Sequence, residues 1–504
     1  MAVLSVNPST GEIRPLDVEE TTPAQVDEVC ALAARAAADL AARPLTWRSE
    51  MLRSMASELE TDGPQLVTVA DQETALGRPR LEGELRRTCF QLRFFADVVA
   101  DGMFLAASID HAQDSPMGPL PDLRRVKTPL GVVGVFGSSN FPFAFSVPGG
   151  DTASALAAGC SVVVKAHPAH PATSAATFAA LARGADLCGA PAGTVNLIFG
   201  LAAGTALVES PHVGAVGFTG SVSAGRALWQ LANARPNPIP FYGELGAANP
   251  LVVTVGAARQ RAEEIGKGFA GSMTLGAGQF CTKPGLLFVP TGGDGDSLVH
   301  ALVGALGGLG GFTMLSEGIA EHFWSGVESI RSVSSVRPLV DGTPNDGTGA
   351  SARLFEVGAD DFVAGEATAL REECFGPAAL VVRYATNDEL LRAILCAEKS
   401  LTFSVFAATD DPDAAWLVEL GASRSGRVIA DGYPTGVGVS WSMQHGGPWP
   451  ATTASGSTSV GAASIERWLR PVTYQSMPDE LLPDILREAN PTGVPRRVDG
   501  AFSL

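Results

Sequence analysis

Short apolar runs alternate with helical stretches through the middle of this chain. The runs at residues 131–136, 161–165, 195–198 and 213–218 hold four to six mostly apolar residues each, and segments with helical spacing separate them. Strands of this length that alternate with helices form parallel, doubly wound sheets. The pattern therefore predicts an α/β fold with ligands bound beyond the carboxyl ends of the strands.

The same pattern divides the chain into parts. Helices are predicted at residues 22–42, 45–60 and 80–99, and a second α/β unit begins near residue 249 with a strand at 251–254 and a helix at 257–274. A stretch rich in proline, glycine and aspartate leaves the first unit, and a proline-containing tail with a short helix ends the chain. The predicted parts are a dinucleotide-binding domain (1–107 and 128–248), a catalytic domain (249–463), and an oligomerisation excursion with a docking tail (108–127 and 464–504).

Composition narrows the possible partners. A chain of 504 residues with 46% hydrophobic and 17% charged residues is globular and should form more than one domain. Its net charge of −18 argues against nucleic acid or an anionic membrane as a partner, but permits an anionic small molecule. Seven scattered cysteines without a C-x-x-C pair suit a reducing compartment. With no signal peptide and no membrane span predicted, we expect a cytoplasmic protein.

Two segments bring candidate chemistry. Cys281 lies in the glycine-flanked turn 276–285, where a thiol is accessible and backbone N–H groups can point into the same space. Upstream, Glu244 lies among apolar and small residues, so its pKa is predicted to be raised and the carboxyl could act as a general base. The alternatives are a packed core cysteine and a glutamate in a structural salt bridge.

Six motifs in order resemble the aldehyde dehydrogenase superfamily over nearly the whole chain. They are Asn140 in Asn-Phe-Pro-Phe, Lys165, the turn 217–221, Glu244, Cys281 and the segment 373–377. The resemblance implies an α/β fold with a doubly wound parallel-sheet cofactor domain, a second α/β catalytic domain and a small oligomerisation element. It also implies a homodimer or homotetramer.

The resemblance implies a covalent oxidation of an aldehyde. Cys281 would attack the aldehyde carbon to give a thiohemiacetal, while the Asn140 amide and the Cys281 N–H donate to the oxyanion. Loss of a hydride to a nicotinamide would leave a thioester, and Glu244 would activate the water that hydrolyses it. No metal is predicted, because His167 and His170, the only close histidine pair, lie in a segment broken by prolines.

The cofactor is expected at the doubly wound half. A strand leads directly into a turn that opens a helix, where backbone N–H groups can hold a phosphate. By the resemblance, Lys165 would bond the adenine ribose, Glu373 the nicotinamide ribose, and Phe375 would pack on the ring. Without a cofactor role, Lys165 would be a solvated lysine, Glu373 a helix-capping carboxylate and Phe375 a core aromatic. The turn itself supplies Thr219, Gly220, Ser221 and Gly225.

One departure from the family pattern bears on the choice of nucleotide. Many NAD-preferring relatives carry a glutamate three residues after the lysine, and here that position is Pro168. Without this carboxylate a 2′-phosphate would meet no repulsion, and Thr173, Ser174 or a histidine could donate to it. The sequence therefore predicts that NADP is accepted as well as NAD.

Within the family, the segments 145–155, 165–171 and 436–450 look like one branch. It contains 2-oxoglutarate semialdehyde (2,5-dioxovalerate) dehydrogenases and NADP-dependent fatty aldehyde dehydrogenases, and the first activity is the favoured expectation. Its substrate carries a carboxylate, so the pocket should offer a cation or several donors. Arg93 is the candidate cation, although it could equally be a helix-surface arginine. Ser440, Trp441 and Gln444 are expected to line the mouth.

Two other classes of function stay open. A thiol esterase or acyl transferase would keep Cys281 and Glu244 but would leave Lys165, Glu373 and the turn 217–221 without a purpose. A non-catalytic nucleotide-binding relative could lose Cys281, Glu244 and Asn140, yet all three are present. A serine hydrolase is disfavoured because the chain has no G-x-S-x-G motif.

Overall fold

A computed structural model describes residues 1–342, 347–364 and 368–503. Its helices are α1 (Pro23–Ala42), α2 (Leu45–Thr61), α3 (Gly63–Thr74), α4 (Arg78–Asp101), α5 (Gly150–Ala158), α6 (Pro171–Leu187), α7 (Leu201–Glu209), α8 (Val222–Ala234), α9 (Val255–Thr274), α10 (Gly293–Gly307), α11 (Glu317–Arg331), α12 (Ala359–Ala364), α13 (Asn387–Cys396) and α14 (Ala414–Arg424).

The strands form three large sheets and three small two-stranded ones. In chain order they are β1 (Ala2–Val6), β2 (Ile13–Glu19), β3 (Ser108–Asp110), β4 (Gln113–Ser115), β5 (Gly118–Leu120), β6 (Leu123–Pro129), β7 (Val132–Phe136), β8 (Ser161–Lys165), β9 (Val195–Ile198), β10 (Val213–Thr219), β11 (Phe241–Glu244), β12 (Pro250–Val253), β13 (Leu286–Pro290), β14 (Phe312–Thr313), β15 (Arg337–Asp341), β16 (Gly349–Ala350), β17 (Arg353–Gly358), β18 (Ala378–Tyr384), β19 (Ser400–Phe406), β20 (Ser425–Ala430), β21 (Leu469–Gln475), β22 (Arg496–Val498) and β23 (Ala501–Ser503).

The first large sheet is parallel and doubly wound, as the sequence predicts. Its strand order is β11-β10-β7-β8-β9, so the chain winds outward from β7 in one direction and then returns to the other side. Every residue of β7 and β8 is buried, which explains their continuous apolar runs. The order reverses between β7 and β10, and this is where ligands bind in such sheets.

The second large sheet has the order β15-β17-β18-β13-β12-β19-β20 and is parallel except for β15. Two apolar clusters pack on its two faces, one around Phe288 and Phe355 and the other around Leu287 and Phe269. Cys281 precedes β13 and the segment 373–377 precedes β18. The amino ends of this sheet therefore meet the carboxyl ends of the first sheet, and the cleft between them carries the candidate chemistry.

The excursion and the tail join in a third sheet with the order β21-β6-β3-β22-β23. Strand β21 pairs antiparallel with β6 along seven residues of each strand, Leu469 opposite Pro129 and Gln475 opposite Leu123. The tail begins with a short 3-10 helix at Ala462–Trp468, but the sequence did not predict the strand that follows it. The domain boundaries given from the sequence stay a prediction.

The early helices follow the sequence closely. Helix α1 begins after Thr22, whose side chain accepts the N–H of Gln25 while Gln25 bonds back to Thr22, with Pro23 in the first turn. The predicted helices at 45–60 and 80–99 extend by a few residues as α2 and α4. Among the described residues, none of the helices is both long and apolar enough to span a bilayer.

Candidate active site

The turn that carries Cys281 is shaped by glycine. Gly276 and Gly278 have φ of 57° and 66°, a region that suits glycine, and they reverse the chain between α9 and β13. A β-carbon on Gly278 would collide with the backbone of Gly376. The absence of a side chain therefore lets the Cys281 turn pack directly on the segment 373–377. The Cys281 side chain is partly buried at the end of this turn.

Asn249 holds the same turn from the other side. Its Nδ2 donates to the backbone oxygens of Cys281, at 2.7 Å, and Lys283, at 3.1 Å. Its Oδ1 accepts the N–H and the hydroxyl of Thr402 in β19. Asn249 is fully buried, and both ends of its amide are satisfied. This residue ties the backbone of the nucleophile to the second sheet.

Glu244 ends β11, and its carboxylate meets a histidine that the sequence did not single out. Nε2 of His445 lies 2.8 Å from Oε1 of Glu244, close enough for an ion pair although not aligned as a hydrogen bond. The same Nε2 lies 3.5 Å from Sγ of Cys281. The hydroxyl of Ser459 donates to the other carboxylate oxygen, Oε2. The Cys281 thiol, the His445 imidazole and the Glu244 carboxylate thus form one cluster.

The predicted rise in the pKa of Glu244 is wrong. Burial favours the neutral acid, but the charge of His445 and contacts from His445, Ser459 and Cys281 outweigh it, so the pKa is lowered. The sequence shows the apolar neighbours of Glu244 along the chain, but not the polar groups that the fold brings to it. Glu244 is therefore a carboxylate near neutral pH and can accept a proton without first losing one.

The thiol of Cys281 has the opposite tendency. Burial raises its pKa well above the usual range, and the charges of Glu244 and Glu373 add to this effect, while Arg427 opposes it. Cys281 is therefore a protonated thiol at neutral pH and needs a neighbouring group to accept its proton before it attacks. The Glu244 carboxylate is the proton acceptor within reach.

Asn140 lies beyond the carboxyl end of β7 and reaches the Cys281 turn. Its Nδ2 donates to the backbone oxygen of Gln279 at 3.0 Å, and Arg80 donates to the backbone oxygen of Asn140 at 2.7 Å. An amide nitrogen carries two hydrogens, so one contact leaves a second donor. The fold therefore brings together the three predicted catalytic residues, Asn140, Glu244 and Cys281, from both sheets.

The predicted phosphate turn lies at the carboxyl end of β10. Thr219 ends this strand beside Glu244, and the N–H of Gly220 donates to the backbone oxygen of Glu244. Ser221 caps α8 by accepting the N–H of residue 224 and is exposed. A β-carbon on Gly225 would collide with Leu245, so this glycine allows α8 to pack against the sheet. The exposed helix start faces the ligand-binding edge.

Lys165 ends β8 on the same edge of the sheet. It is 7% exposed, and burial lowers its pKa to about 8. A charged lysine held in an apolar strand end is poised to bond an oxygen-rich group, and its position beyond β8 matches the edge at which such a group binds. This placement fits the ribose contact expected from the sequence, which stays a prediction.

Glu373 and Phe375 precede β18 and face the Cys281 turn. Oε1 of Glu373 is buried without a hydrogen-bond partner among the described residues, and the carboxylate lies against Gly246, where a β-carbon would displace it. Burial raises the pKa of Glu373 to about 7, opposed by Lys283 and by the backbone of residue 247. An unsatisfied buried acceptor fits a ribose hydroxyl. Phe375 is partly buried beside it.

Thr173 and Ser174 do not fit the phosphate contact expected from the sequence. Both side chains are fully buried. The Thr173 hydroxyl donates to Glu73 at 2.7 Å, and the Ser174 hydroxyl donates to the backbone oxygen of His170 at 3.0 Å. Both hydroxyls are therefore engaged inside the protein. Glu73 also accepts the N–H groups of residues 172 and 173 in the first turn of α6.

Arg93 does not fit the role of substrate cation. Its guanidinium makes a two-pronged contact with Glu60 of α2, with Nη2 2.7 Å from Oε2. It therefore pairs two helices, as the alternative explanation of a helix-surface arginine proposed. Helical spacing shows which residues share a face of α4 with Arg93. Sequence alone does not show which face of the helix meets the active site.

The other mouth residues lie in the loop that follows β20. Trp441 is 55% exposed and its ring packs edge-on against Phe94 of α4, with centroids 5.4 Å apart. Ser440 is exposed, and Gln444 donates to the backbone oxygen of Ser457 at 2.8 Å. The loop thus lies against α4, and its role in substrate binding stays a prediction.

The same cluster has the donor types of a metal site. Glu244, Cys281 and His445 offer three ligand atoms within 4.8 Å of one another, of kinds that zinc binds. A zinc ion there would occupy the sulfur that has to attack a substrate. We therefore interpret the three groups as catalytic and expect added zinc to inhibit.

Sequence reasoning missed His445, Ser459 and Asn249. His445 and Cys281 are separated by 164 positions, and neither lies in a spacing that marks a pair. The only sequence signal for Asn249 is its place beside Pro250. In the structure its φ is 48°, in the left-handed region that asparagine tolerates better than most residues. The partners of all three come from other elements of the fold.

Comparisons with known proteins agree with this geometry. The family model described as "Aldehyde dehydrogenase family" matches residues 2–447. The chain is 46% identical over 503 residues to alpha-ketoglutaric semialdehyde dehydrogenase 2 of Azospirillum brasilense, covering 98% of this chain and 95% of that one. It is 41% identical over 460 residues to an alpha-ketoglutaric semialdehyde dehydrogenase of Acinetobacter baylyi, covering 90% and 87%.

Solved structures show the same fold. A putative aldehyde dehydrogenase from Burkholderia cenocepacia superposes with a TM-score of 0.80 at 22% identity, covering 96% of this chain and 95% of that one. An NADP-dependent enzyme of E. coli gives a TM-score of 0.79 at 22% identity, with 94% of both chains covered. The chain belongs to the aldehyde dehydrogenase family, whose enzymes are NAD(P)-dependent oxidoreductases.

Proposed function

We propose that this enzyme oxidises 2-oxoglutarate semialdehyde (2,5-dioxovalerate) to 2-oxoglutarate with NADP or NAD as the oxidant. The observation that carries the proposal is the cluster in which Nε2 of His445 lies 3.5 Å from the Cys281 sulfur and 2.8 Å from the Glu244 carboxylate. Two relatives at 41–46% identity bear the name of this semialdehyde. We propose the substrate of this chain from the names of these two relatives.

The first step is the activation of Cys281. The thiol is protonated, so its proton passes to the Glu244 carboxylate as sulfur attacks the aldehyde carbon, and Glu244 then loses this proton to solvent because its pKa is lowered. The new C–S bond turns the carbonyl oxygen into an oxyanion. Asn140 and the backbone N–H of Cys281 donate to it in this proposal, because the Asn140 amide already lies against the Cys281 turn.

The cofactor site combines both halves of the cleft. Glu373 supplies a buried acceptor without a partner for the nicotinamide ribose, Lys165 a cation for the adenine ribose, and the exposed start of α8 a phosphate site. A nicotinamide held by these residues would supply the hydride acceptor for the oxidation.

Hydrolysis of the remaining thioester is assigned to Glu244. Its lowered pKa keeps the carboxylate ionised, so it can take a proton from water as the water attacks. A small cavity lies beside Glu244 and His445, and Ser457, Ser459 and Arg467 also line it. This space suits the hydrolytic water. Cys281 then leaves as a thiolate and takes up the proton that Glu244 removed from the water.

NADP acceptance is the finer part of the proposal. Residues 167–169, between β8 and α6, are partly or fully exposed and carry no carboxylate, and Pro168 is the most exposed of them. A 2′-phosphate would therefore meet no negative charge in this segment. The hydroxyls of Thr173 and Ser174 are bonded elsewhere. The candidate donors to the 2′-phosphate are therefore a histidine and backbone N–H groups.

A panel of aldehydes tests the proposal. Wild-type enzyme is assayed with 2-oxoglutarate semialdehyde, succinic semialdehyde and hexanal, each with NADP and with NAD. We expect the highest kcat/KM for 2-oxoglutarate semialdehyde. A clear preference for hexanal would favour the alternative, a fatty or general aliphatic aldehyde dehydrogenase. Cys281→Ala should abolish all turnover while nucleotide binding, measured by fluorescence quenching, persists.

A second function has support from the same cluster. A thiol beside an imidazole and a carboxylate can hydrolyse activated esters without a nucleotide, as a thiol esterase does. The test is 4-nitrophenyl acetate turnover with no nicotinamide present. Ester hydrolysis faster than aldehyde oxidation at saturating NADP would make the esterase the main function.

We also propose that the protein is a cytoplasmic homodimer or homotetramer. The hairpin of β4 and β5 projects from the third sheet with Met117 87% exposed, which suits a contact between copies. Within the described part of the chain all seven cysteines are free, which suits a reducing compartment. Light scattering after gel filtration would give the number of subunits, and a monomer at micromolar concentration would contradict the assembly.

A further inference from the structure

One face of α4 runs along the catalytic groups. Arg80, Glu84 and Arg87 recur at intervals of four and three residues, so their side chains lie on the same face of the helix. Arg80 donates to the backbone oxygen of Asn140, and Glu84 accepts the N–H groups of residues 143 and 144. The first two residues thus shape the Asn140 loop, and the third continues the same face toward the mouth.

Arg87 has donors that the protein does not use. Its Nε donates to the backbone oxygen of Val437 at 3.3 Å, and its guanidinium lies 5.2 Å from the ring centre of Phe145. Nη1 and Nη2 are both buried and have no hydrogen-bond partner among the described residues. A guanidinium remains charged, and leaving its donors unpaired in the interior is costly. The two free nitrogens form the flat fork that matches a carboxylate.

The surroundings of Arg87 place it beside the catalytic cluster. Phe145 contacts the guanidinium and also the ring of His445, whose centre is 6.3 Å from that of Phe145. Burial lowers the pKa of Arg87, while the charges of Glu84, Cys281 and Glu244 act in the opposite direction. Phe145 therefore connects the guanidinium of Arg87 with the imidazole of His445, because it contacts both.

The neighbouring arginines are already engaged. Arg427 donates to the backbone oxygens of residues 434 and 436, and Arg80 donates to Asn140 while its guanidinium lies over the ring of Phe280. Arg93 pairs with Glu60 on the other side of α4. Of these four arginines, Arg87 alone has both terminal nitrogens without a hydrogen-bond partner in the described part of the chain, whereas Arg80 has only Nη1 without one.

We propose that Arg87 binds the carboxylate of the substrate and so selects short aldehydes that carry a carboxylate at the far end. The fork of Nη1 and Nη2 would receive the two carboxylate oxygens while the aldehyde carbon meets Cys281. Phe145 separates the two ends and covers the apolar middle of the substrate. This inference rests on the proposed function and names the group that recognises its substrate class.

The test measures specificity. For Arg87→Gln and Arg87→Lys, kcat/KM is determined with 2-oxoglutarate semialdehyde and with pentanal, which has the same number of carbons and no carboxylate. We expect Arg87→Gln to lower the ratio of the two values by about 30-fold or more, mainly through KM for the semialdehyde. Arg87→Lys should retain part of the ratio, because it keeps the charge but loses the fork. Arg93→Gln, on the same helix, should leave the ratio unchanged.

The outcomes separate the two claims. If wild-type enzyme does not oxidise the semialdehyde, the proposed function fails. If it does, and Arg87→Gln leaves the ratio unchanged or slows both aldehydes equally, the role of Arg87 is wrong. Should Arg87→Gln not fold, glutarate is tested as an inhibitor of wild-type pentanal oxidation. Inhibition competitive with pentanal, weakened in Arg87→Lys, supports the proposal, and the absence of inhibition overturns it.

Discussion

Nε2 of His445 lies 2.8 Å from Oε1 of Glu244, and this contact reverses what burial alone would do to the carboxylate. Glu244 is buried, which favours the neutral acid, yet its pKa is lowered because His445 opposes that effect. The same imidazole nitrogen reaches the Cys281 sulfur. One histidine therefore contacts both the thiol of Cys281 and the carboxylate of Glu244.

His445→Gln should move the acid limb of the kcat–pH profile upward by about one pH unit. Without the imidazole charge, burial raises the pKa of Glu244, so the carboxylate needed for thioester hydrolysis forms only at higher pH. The measurement is kcat across the pH range at saturating substrate and NADP. His322→Gln, on the exposed side of α11, is the matched control and should leave the profile unchanged.

Nucleotide affinity should fall as the pH falls through about 7. The pKa of Glu373 is about 7, so its carboxylate is present above that pH and becomes protonated below it. A protonated acid no longer offers both oxygens to the ribose hydroxyls, and we expect the Kd for NADP to rise about tenfold between pH 8 and pH 6.

Glu373→Gln tests the origin of this dependence. The variant should bind NADP weakly at both pH values, with a flat Kd measured by fluorescence quenching. Glu372→Gln changes an exposed neighbour and should keep the wild-type slope. If the slope persists in Glu373→Gln, another group controls nucleotide binding.

Pro168→Glu should shift the enzyme from NADP toward NAD. The new carboxylate would repel a 2′-phosphate and could bond ribose hydroxyls, so the ratio of kcat/KM for NADP to that for NAD should fall about tenfold or more. Pro168→Gln introduces a side chain of nearly the same size as glutamate but without its charge. It therefore separates the effect of repulsion from the effect of losing the proline. Equal ratios in the two variants would show that charge at this position does not decide the nucleotide.

Asn249→Ala should destabilise the protein and loosen the turn of the nucleophile. Removing the amide leaves the backbone oxygens of Cys281 and Lys283 without this donor, at a cost of about 2 kcal/mol or more. We expect a lower midpoint of urea unfolding and a lower kcat. Asn387→Ala, which removes an exposed amide on α13, should change both by little. An unchanged kcat in Asn249→Ala would show that this anchor does not position Cys281.

Part of the site followed from the chain itself. Apolar runs separated by helices predicted the parallel sheet, and Lys165 and Thr219 do end β8 and β10. The glycines around Cys281 predicted an accessible turn. Gly278 has the positive φ of a tight turn, but most of the turn is buried because it packs on the segment 373–377, and Cys281 is only partly exposed. These features are local, because strand period and glycine conformation depend on a few consecutive residues.

The sequence by itself determined the fold class and the order of the motifs along the chain. Only the tertiary structure decided which charges meet: His445 reaches Glu244, Arg93 pairs with Glu60, and Thr173 turns inward to Glu73. The physical reason is that a pKa and a binding role depend on groups a few ångströms away in space. In a doubly wound fold those groups come from strands and loops far apart in the chain.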